Sequence, residues 1–229
     1  MNFARLSDRL RHDGAWGVAD AAAYRLLRTL TRLHVVRLFE LREARVPLPA
    51  SFTARELKAA EVAELAEDPV HALAPFLAGR VERGLARCVA ALDDHGDLAS
   101  FVWLGGVDFP AEWVYGPPIA IDAGTLYLHN AVTVPGYRGR GLYPATAAAA
   151  LRLTDARRLL FTVEYGNHPS LKAARRMGAT DLGVAVTWGM PCGRVLRMPE
   201  GFALRKRPAT PLREDELPPR RATPRPERF

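Results

Sequence analysis

The segment VTVPGYRGRGLYPA, residues 132–145, constrains the fold more than any other part of the chain. It closes an alternating, partly β-branched run, Leu126 to Val134, that reads as a strand. It leads into an alanine-rich run that reads as a helix from about Pro144 to Asp155. A strand, a short glycine-bearing loop and a helix in that order belong to an α/β crossover. The loop also has a chemistry of its own. Gly139 and Gly141 lack a Cβ, so the backbone can turn sharply and bring successive N–H groups close to a ligand. Arg138, Arg140 and the positive end of the helix make that ligand an anion, and pyrophosphate is the natural occupant. The dinucleotide and Walker-type loops do not fit, because neither GxGxxG nor GK[ST] is present.

The remaining pattern supplies a sheet for this crossover. An amphipathic helix over Ala19 to Leu33 places Ala19, Ala22, Leu26, Leu30 and Leu33 on one stripe, with Arg25, Arg28 and Arg32 on another face. Its Leu stripe is expected to pack on the chain's own domain, the alternative being peripheral contact with an anionic membrane surface. The alternation Val35, Arg37, Phe39, Leu41 reads as a short strand, and Pro47 and Pro49 then break the chain. Ser51 to Leu57 reads as a strand, Ala59 to Ala66 as a helix and Pro69 to Ala78 as a short helical piece. Arg87 to Leu92 and Leu98 to Leu104 flank DDHGD as a hairpin. Beyond the crossover come a strand over Leu159 to Glu164, a helix over Pro169 to Met177, and closing strands over Leu182 to Trp188 and Val195 to Met198.

The expectation is an α/β (α+β) fold with a mixed sheet flanked by helices. Residues 1–45 form a helical extension, 46–200 the main domain and 201–229 a tail. That tail has six prolines between Arg205 and Phe229 and few apolar side chains, so it is expected to be disordered. It also carries eight Lys or Arg against four acidic residues, supplying +4 of the net +7. The rest is near balance, which gives no reason to expect a nucleic-acid partner. No apolar run approaches a membrane span, and Arg5, Asp8, Arg9, Arg11 and Asp13 stand where a signal peptide would be apolar, so a cytoplasmic location is expected. Cys88 and Cys192 have no partners at metal-ligand spacing, so neither a disulfide framework nor a metal site is indicated.

The loop resembles the signature of the GNAT acyltransferase superfamily. Arg138, Gly139, Arg140, Gly141, Leu142 and Tyr143 occupy the places of its pyrophosphate turn, preceded by Pro135 and Tyr137. A second likeness lies in EYGNHPSLKAARRMGA, where Asn167, Ser170 and Gly178 match the family's loop asparagine, small residue and helix-ending glycine. The resemblance covers about residues 50–198 and implies a GNAT-like, mostly antiparallel twisted sheet. It also implies acetyl-CoA or another acyl-CoA as co-substrate, with Val132, Thr133 and Val134 engaging pantetheine by their backbone. The acceptor it implies is a small-molecule or peptide amine, and a homodimer is compatible with it. Three departures stand out. Tyr143 replaces a small residue, Pro144 has no N–H for phosphate, and Ala174 stands where many members have a tyrosine that protonates the departing thiolate.

Acyl transfer to an amine needs a proton acceptor, a polarised carbonyl and a proton for the thiolate. His129 stands where family members carry an acidic residue, and an imidazole titrating near 6.5 suits a base. Strand alternation puts Tyr127, His129, Ala131 and Thr133 on one face. Glu164 is the second candidate base, and Tyr143 and Tyr165 are the candidate thiolate acids. Trp103, Trp113, Tyr115 and Trp188 are placed to line an acceptor pocket. The competing expectation is an acyl-CoA-binding regulatory or scaffold module without turnover, for which Ala174 speaks.

Overall fold

The computed structural model describes residues 3–67, 78–106, 121–188 and 194–199. Helix α1 (Phe3–Thr31) runs straight into strand β1 (Leu33–Leu41), and β2 (Phe52–Leu57) follows. Two short helices, α2 (Ala59–Leu65) and α3 (Ala78–Glu82), precede the hairpin strands β3 (Ala86–Asp93) and β4 (Leu98–Gly105). Strand β5 (Thr125–Thr133), helix α4 (Leu142–Leu153) and strand β6 (Arg158–Glu164) form the crossover. Helix α5 (His168–Arg176) and strands β7 (Thr180–Trp188) and β8 (Arg194–Arg197) close the order. The expected elements recur within a few residues, except that α1 starts much earlier than Ala19. The piece expected over 69–78, the tail and the loop with Trp113 and Tyr115 lie outside the described residues, apart from Ala78 itself, which opens α3.

Among the described residues, the eight strands join one mixed sheet in the order β2-β3-β4-β5-β6-β1-β7-β8. Only β5 and β6 are parallel, as a helical crossover between them requires. On one face α4 and α5 cover Phe39, Leu41, Val102, Leu104, Leu128, Leu159 and Phe161. The alanines of α4, among them Ala147 and Ala150, let the helix approach the sheet closely and are almost fully buried. On the other face α2 and α3 cover Leu57, Cys88, Phe101 and Trp103.

Two expectations change here. Strand β1, expected within an N-terminal extension, lies inside the sheet between β6 and β7, antiparallel to both. The boundary expected after residue 45 therefore falls between two strands of one sheet. Strand order is a non-local property that alternation along the chain does not reveal. A buried ion pair marks the junction of β1 with β6. Glu40 receives hydrogen bonds from Arg42 Nε at 2.7 Å and Arg158 Nη1 at 2.8 Å, while Arg158 Nη2 also holds Asp122 at 2.9 Å. Burial opposes the charge on Glu40, but these guanidinium bonds outweigh it and hold the carboxyl below its usual range.

The second change concerns α1. Its sheet-facing side is made of Ala21 and Tyr24, with Arg28 half-buried beside them, whereas Ala19, Ala22, Leu26 and Leu30 point outward. The reason is close packing against the turn after β6. A Cβ on Gly166 would stand 3.1 Å from Tyr24 Cδ1 and 3.4 Å from the Ala21 Cα, so the helix and the turn approach closely because residue 166 has no side chain. Tyr24 Oη accepts from the Val35 N–H at 3.0 Å and donates to the Val35 carbonyl at 3.2 Å, and Arg28 pairs with Glu164.

Because β1 fills an interior position between β6 and β7, a chain starting at residue 46 is expected to lack a cooperative thermal transition by circular dichroism. A truncated chain that melts cooperatively near the parent's midpoint would show that β1 is dispensable.

Candidate active site

The site forms where β5 and β6 part. Their parallel pairing ends at Tyr127 and Leu160, while β5 continues to Thr133 and β6 to Glu164. Beyond Tyr127 the two strands enclose a V-shaped gap, and the Tyr127 hydroxyl sits at its vertex, 2.6 Å from Thr162 Oγ1. Burial raises the Tyr127 hydroxyl well above the usual tyrosine range.

A bulge accompanies the separation. Asn130 has φ 44°, a left-handed conformation that asparagine tolerates better than most residues. Across from it, Trp103 pairs with His129 but Phe101 pairs with Val132, so β5 contains one extra residue. That residue reverses the alternation. His129 and Val132 share the α2/α3 face, and Thr133 lies on the opposite face, beside Ser100. The expected common face of His129, Ala131 and Thr133 is thereby corrected.

The bulge also decides which backbone groups reach the gap. Val134 N–H donates to the Ala99 carbonyl at 2.9 Å, and the Val132 carbonyl accepts from Ser100 Oγ at 2.9 Å. Alternation along the ladder then turns the backbone of Thr133 towards β6. Of Val132, Thr133 and Val134, Thr133 thus presents the free edge, its carbonyl taking a 3.3 Å bond from Arg138 Nε.

The glycine loop follows directly. A 3₁₀ turn over Pro135–Tyr137 swings the chain away from the sheet. Gly139 has φ 82° and Gly141 φ 74°, and a Cβ at either would meet nothing within 4 Å. Backbone conformation excludes side chains there, and the space above the loop stays open. The Arg138 N–H is taken by the Pro135 carbonyl at 3.3 Å. The N–H groups of Gly139, Arg140 and Gly141 make no hydrogen bond with the described residues. Leu142 and Tyr143, in the first helical turn, have no intrahelical acceptor either. Pro144 breaks this run of donors, leaving five amides and the helix end for an anion. These groups fit a pyrophosphate. Tyr137 pins the loop: its hydroxyl donates to Asp93 Oδ2 at 2.6 Å, its ring meets Phe52 edge-on, and Arg140 lies over it 5.4 Å from the centroid. Sequence reasoning had given Tyr137 no such role.

The remaining candidate residues have specific surroundings. His129 lies near the buried Arg80 of α3, and burial, reinforced by that guanidinium charge, pushes its pKa down to about 3. The expected titration near 6.5 gives way to an imidazole that is neutral at physiological pH. The Tyr143 hydroxyl is pushed upward by burial, with Tyr127 adding to the effect, and so remains protonated. Glu164 ends β6 in its pair with Arg28. Asn167 caps α5, its Oδ1 accepting from the Ser170 N–H at 3.3 Å, which fixes the loop after β6 but occupies that oxygen. Ala174 faces the core and is fully buried. Trp103 is also wholly buried, and Trp188 is at the far side of β1, so neither lines the gap. Glu164, Gly166 and Asn167 share a hollow of about 70 Å³ with Ala21, Tyr24 and Arg25 of α1, residues that carried no sequence signal for this place. Among the described residues no group of His, Cys, Asp or Glu forms a metal site.

No family model matches the chain, and no curated protein matches it. Solved structures do, at low identity. A conserved protein of unknown function from Staphylococcus epidermidis aligns over 71% of this chain and 64% of its own, at 14% identity and TM-score 0.47. A GCN5-related N-acetyltransferase from Kribbella flavida aligns over 72% and 61%, at 17% identity and TM-score 0.45. A GNAT family N-acetyltransferase from Escherichia coli in complex with CoA aligns over 47% and 59%, at 21% identity and TM-score 0.32. The chain thus spans less than two thirds of the length of each.

The His129 environment has a thermodynamic consequence. The unfolded imidazole takes up a proton near pH 6.5, whereas the folded one does so only near 3. The unfolded state therefore binds more protons in that window, and stability falls as pH is lowered through it. His34, also pushed down, by burial first, adds to the same slope. Melting temperature should decline from pH 6.5 to 4.5, and His129→Gln should flatten the decline. An unchanged slope in the variant would place His129 in water.

Proposed function

We propose that this chain is a GNAT-type N-acetyltransferase: it transfers a short acyl group, acetyl in the first instance, from acyl-CoA directly to an amine. The observation that carries this reading is the unladdered strand edge at Thr133 followed, beyond the 3₁₀ turn, by the amides of Gly139 to Tyr143 at the start of α4. An edge that can bond an amide-bearing arm, followed by a cradle for an anion, suits a pantetheine followed by a pyrophosphate.

In the transfer, the amine nitrogen attacks the thioester carbonyl carbon. A C–N bond forms, the C–S bond breaks, the nitrogen loses one proton, and the thiolate takes one up to leave as CoA thiol. Holding the thioester in the gap beside the amine lowers the barrier without covalent help from the protein. Thr133 orients the pantetheine arm. Val132 and Val134 hold the strand edge through β4, while Arg138 and Arg140 supply positive charge at the pyrophosphate. Asn167 and Ser170 shape the wall formed by the β6–α5 turn. Tyr143, protonated and at the helix start, is the candidate hydrogen-bond donor to the departing sulfur. His129 acts as a neutral acceptor that orients the incoming amine. Its weak basicity leaves bulk proton removal to solvent or to Glu164 when that carboxylate is released by Arg28.

A second reading, an acyl-CoA-binding module without turnover, is favoured by Ala174, buried where a thiolate acid would stand, and by the weakly basic His129.

Melting with acetyl-CoA separates these outcomes. At about a hundredfold its Kd, acetyl-CoA contributes ~2.7 kcal/mol, which raises Tm by roughly 5–10 °C. Gly141→Val should abolish that rise and, by forcing a branched side chain into a left-handed conformation, destabilise the free protein by about 1–2 kcal/mol. No stabilisation of the parent by any acyl-CoA sinks both readings. Release of free thiol with a panel of amines supports the transferase, and stabilisation without it supports the module. With a turning-over amine in hand, His129→Ala should reduce kcat while leaving the acetyl-CoA Tm rise intact. Equal kcat would remove His129 from the mechanism.

A further inference from the structure

We infer that the outward face of α1 is a docking surface for an anionic lipid bilayer. Trp16, Ala19, Ala23, Leu26, Leu27 and Leu30 recur at three- and four-residue spacing, so they form one stripe. Its large members are strongly exposed: Trp16 by 89%, Leu26 by 62%, Leu27 by 48% and Leu30 by 74%. The stripe spans about 21 Å of helix at the usual rise per residue. It contains no charged side chain, and it points away from Ala21 and Tyr24, which anchor the helix to the sheet.

Charge decides between occupants. Arg25 and Arg32 are exposed beside the stripe, and Arg175 and Arg176 are exposed on α5, which packs against α1. Among the described side chains, Glu164 pairs with Arg28, and Asp20 lies 3.2 Å from His168 Nε2. A second copy meeting this face would set one arginine-flanked stripe against another, with no acidic residue among Trp16, Ala19, Ala23, Leu26, Leu27 and Leu30 to receive the charge. An anionic bilayer accepts both features, the leucines entering the acyl boundary and the arginines meeting headgroups. The indole of Trp16 suits the same boundary. No helix among the described residues is long and apolar enough to cross a membrane, so the contact is peripheral.

The test uses the full chain with phosphatidylcholine vesicles, with and without phosphatidylserine. The protein should sediment with the anionic vesicles only, less so as salt is raised, and Trp16 fluorescence, isolated by comparison with Trp16→Phe, should shift to the blue. The double variant Leu26→Glu with Leu30→Glu should lose sedimentation while keeping the parent's Tm, because neither side chain is buried. Arg25→Glu with Arg32→Glu should weaken partitioning about tenfold or more. Three results overturn the inference: no sedimentation of the parent, parent-like sedimentation of the leucine variant, or a parent dimer in light scattering that the leucine variant converts to monomer. Should the leucine variant misfold, the arginine variant and the Trp16 shift decide alone.

Discussion

The gap between β5 and β6 depends on β1. A strand that leaves its neighbour gives up ladder hydrogen bonds, each worth about 1 kcal/mol net, and exposes unpaired amides. Strand β6 can part from β5 beyond Tyr127 because its other edge is paired with β1 from Leu159 to Glu164, opposite Leu41 to Val36. Strand β1 is held in turn by β7 along nearly its whole length. The open gap is thus braced from behind by a segment that precedes the crossover by almost a hundred residues. The Glu40–Arg158 pair ties β1 to the start of β6, where β6 is still paired with β5, and the Arg28–Glu164 pair holds the other end of β6 beyond the separation. This arrangement keeps the separation fixed without a ligand.

The bulge at Asn130 and the loop at Gly139 to Gly141 divide the work of the site. His129, before the bulge, keeps its side chain on the α2/α3 face, while beyond the bulge the Thr133 backbone faces the gap, so a chain lying along β5 and a group approaching from beneath it meet different residues. The loop then turns its amides to the same end of the gap. Its rigidity comes from Tyr137, whose bond to Asp93 ties it to the β3–β4 turn. The Arg140 guanidinium over the Tyr137 ring keeps a positive charge at the loop's outer side without using a carboxylate that would cancel it.

Local features were legible in the sequence. The glycine loop and its flanking strand and helix could be read because glycine, proline and alternation leave short-range signatures, and the hairpin about DDHGD followed from turn residues. What could not be read is non-local. The pairing of β1 with β6 and β7 depends on strand order. The face occupied by Thr133 depends on one extra residue, whose trace in the sequence is an asparagine within a strand pattern. The pKa of His129 depends first on its burial and then on Arg80, far away in the chain. The role of Tyr24 depends on a glycine, Gly166, that reads as an ordinary turn residue until the helix is seen against it.

Helix α1 shows how a periodicity can be right and its direction wrong. A leucine stripe normally turns inward, since burying a large apolar side chain contributes about 1.5–3 kcal/mol. Here the inward face belongs to Ala21 and Tyr24, because Gly166 lets the turn after β6 lie directly against both of them. The Tyr24 hydroxyl completes the hydrogen bonds of Val35 at the start of β1. The helix is therefore fixed by close approach and polar bonds, and its apolar side is left over. Turning that side inward would bring the leucines towards the Gly166 turn and remove the two Tyr24 bonds to Val35, so the packing at this crossing keeps the stripe on the outer side of the helix.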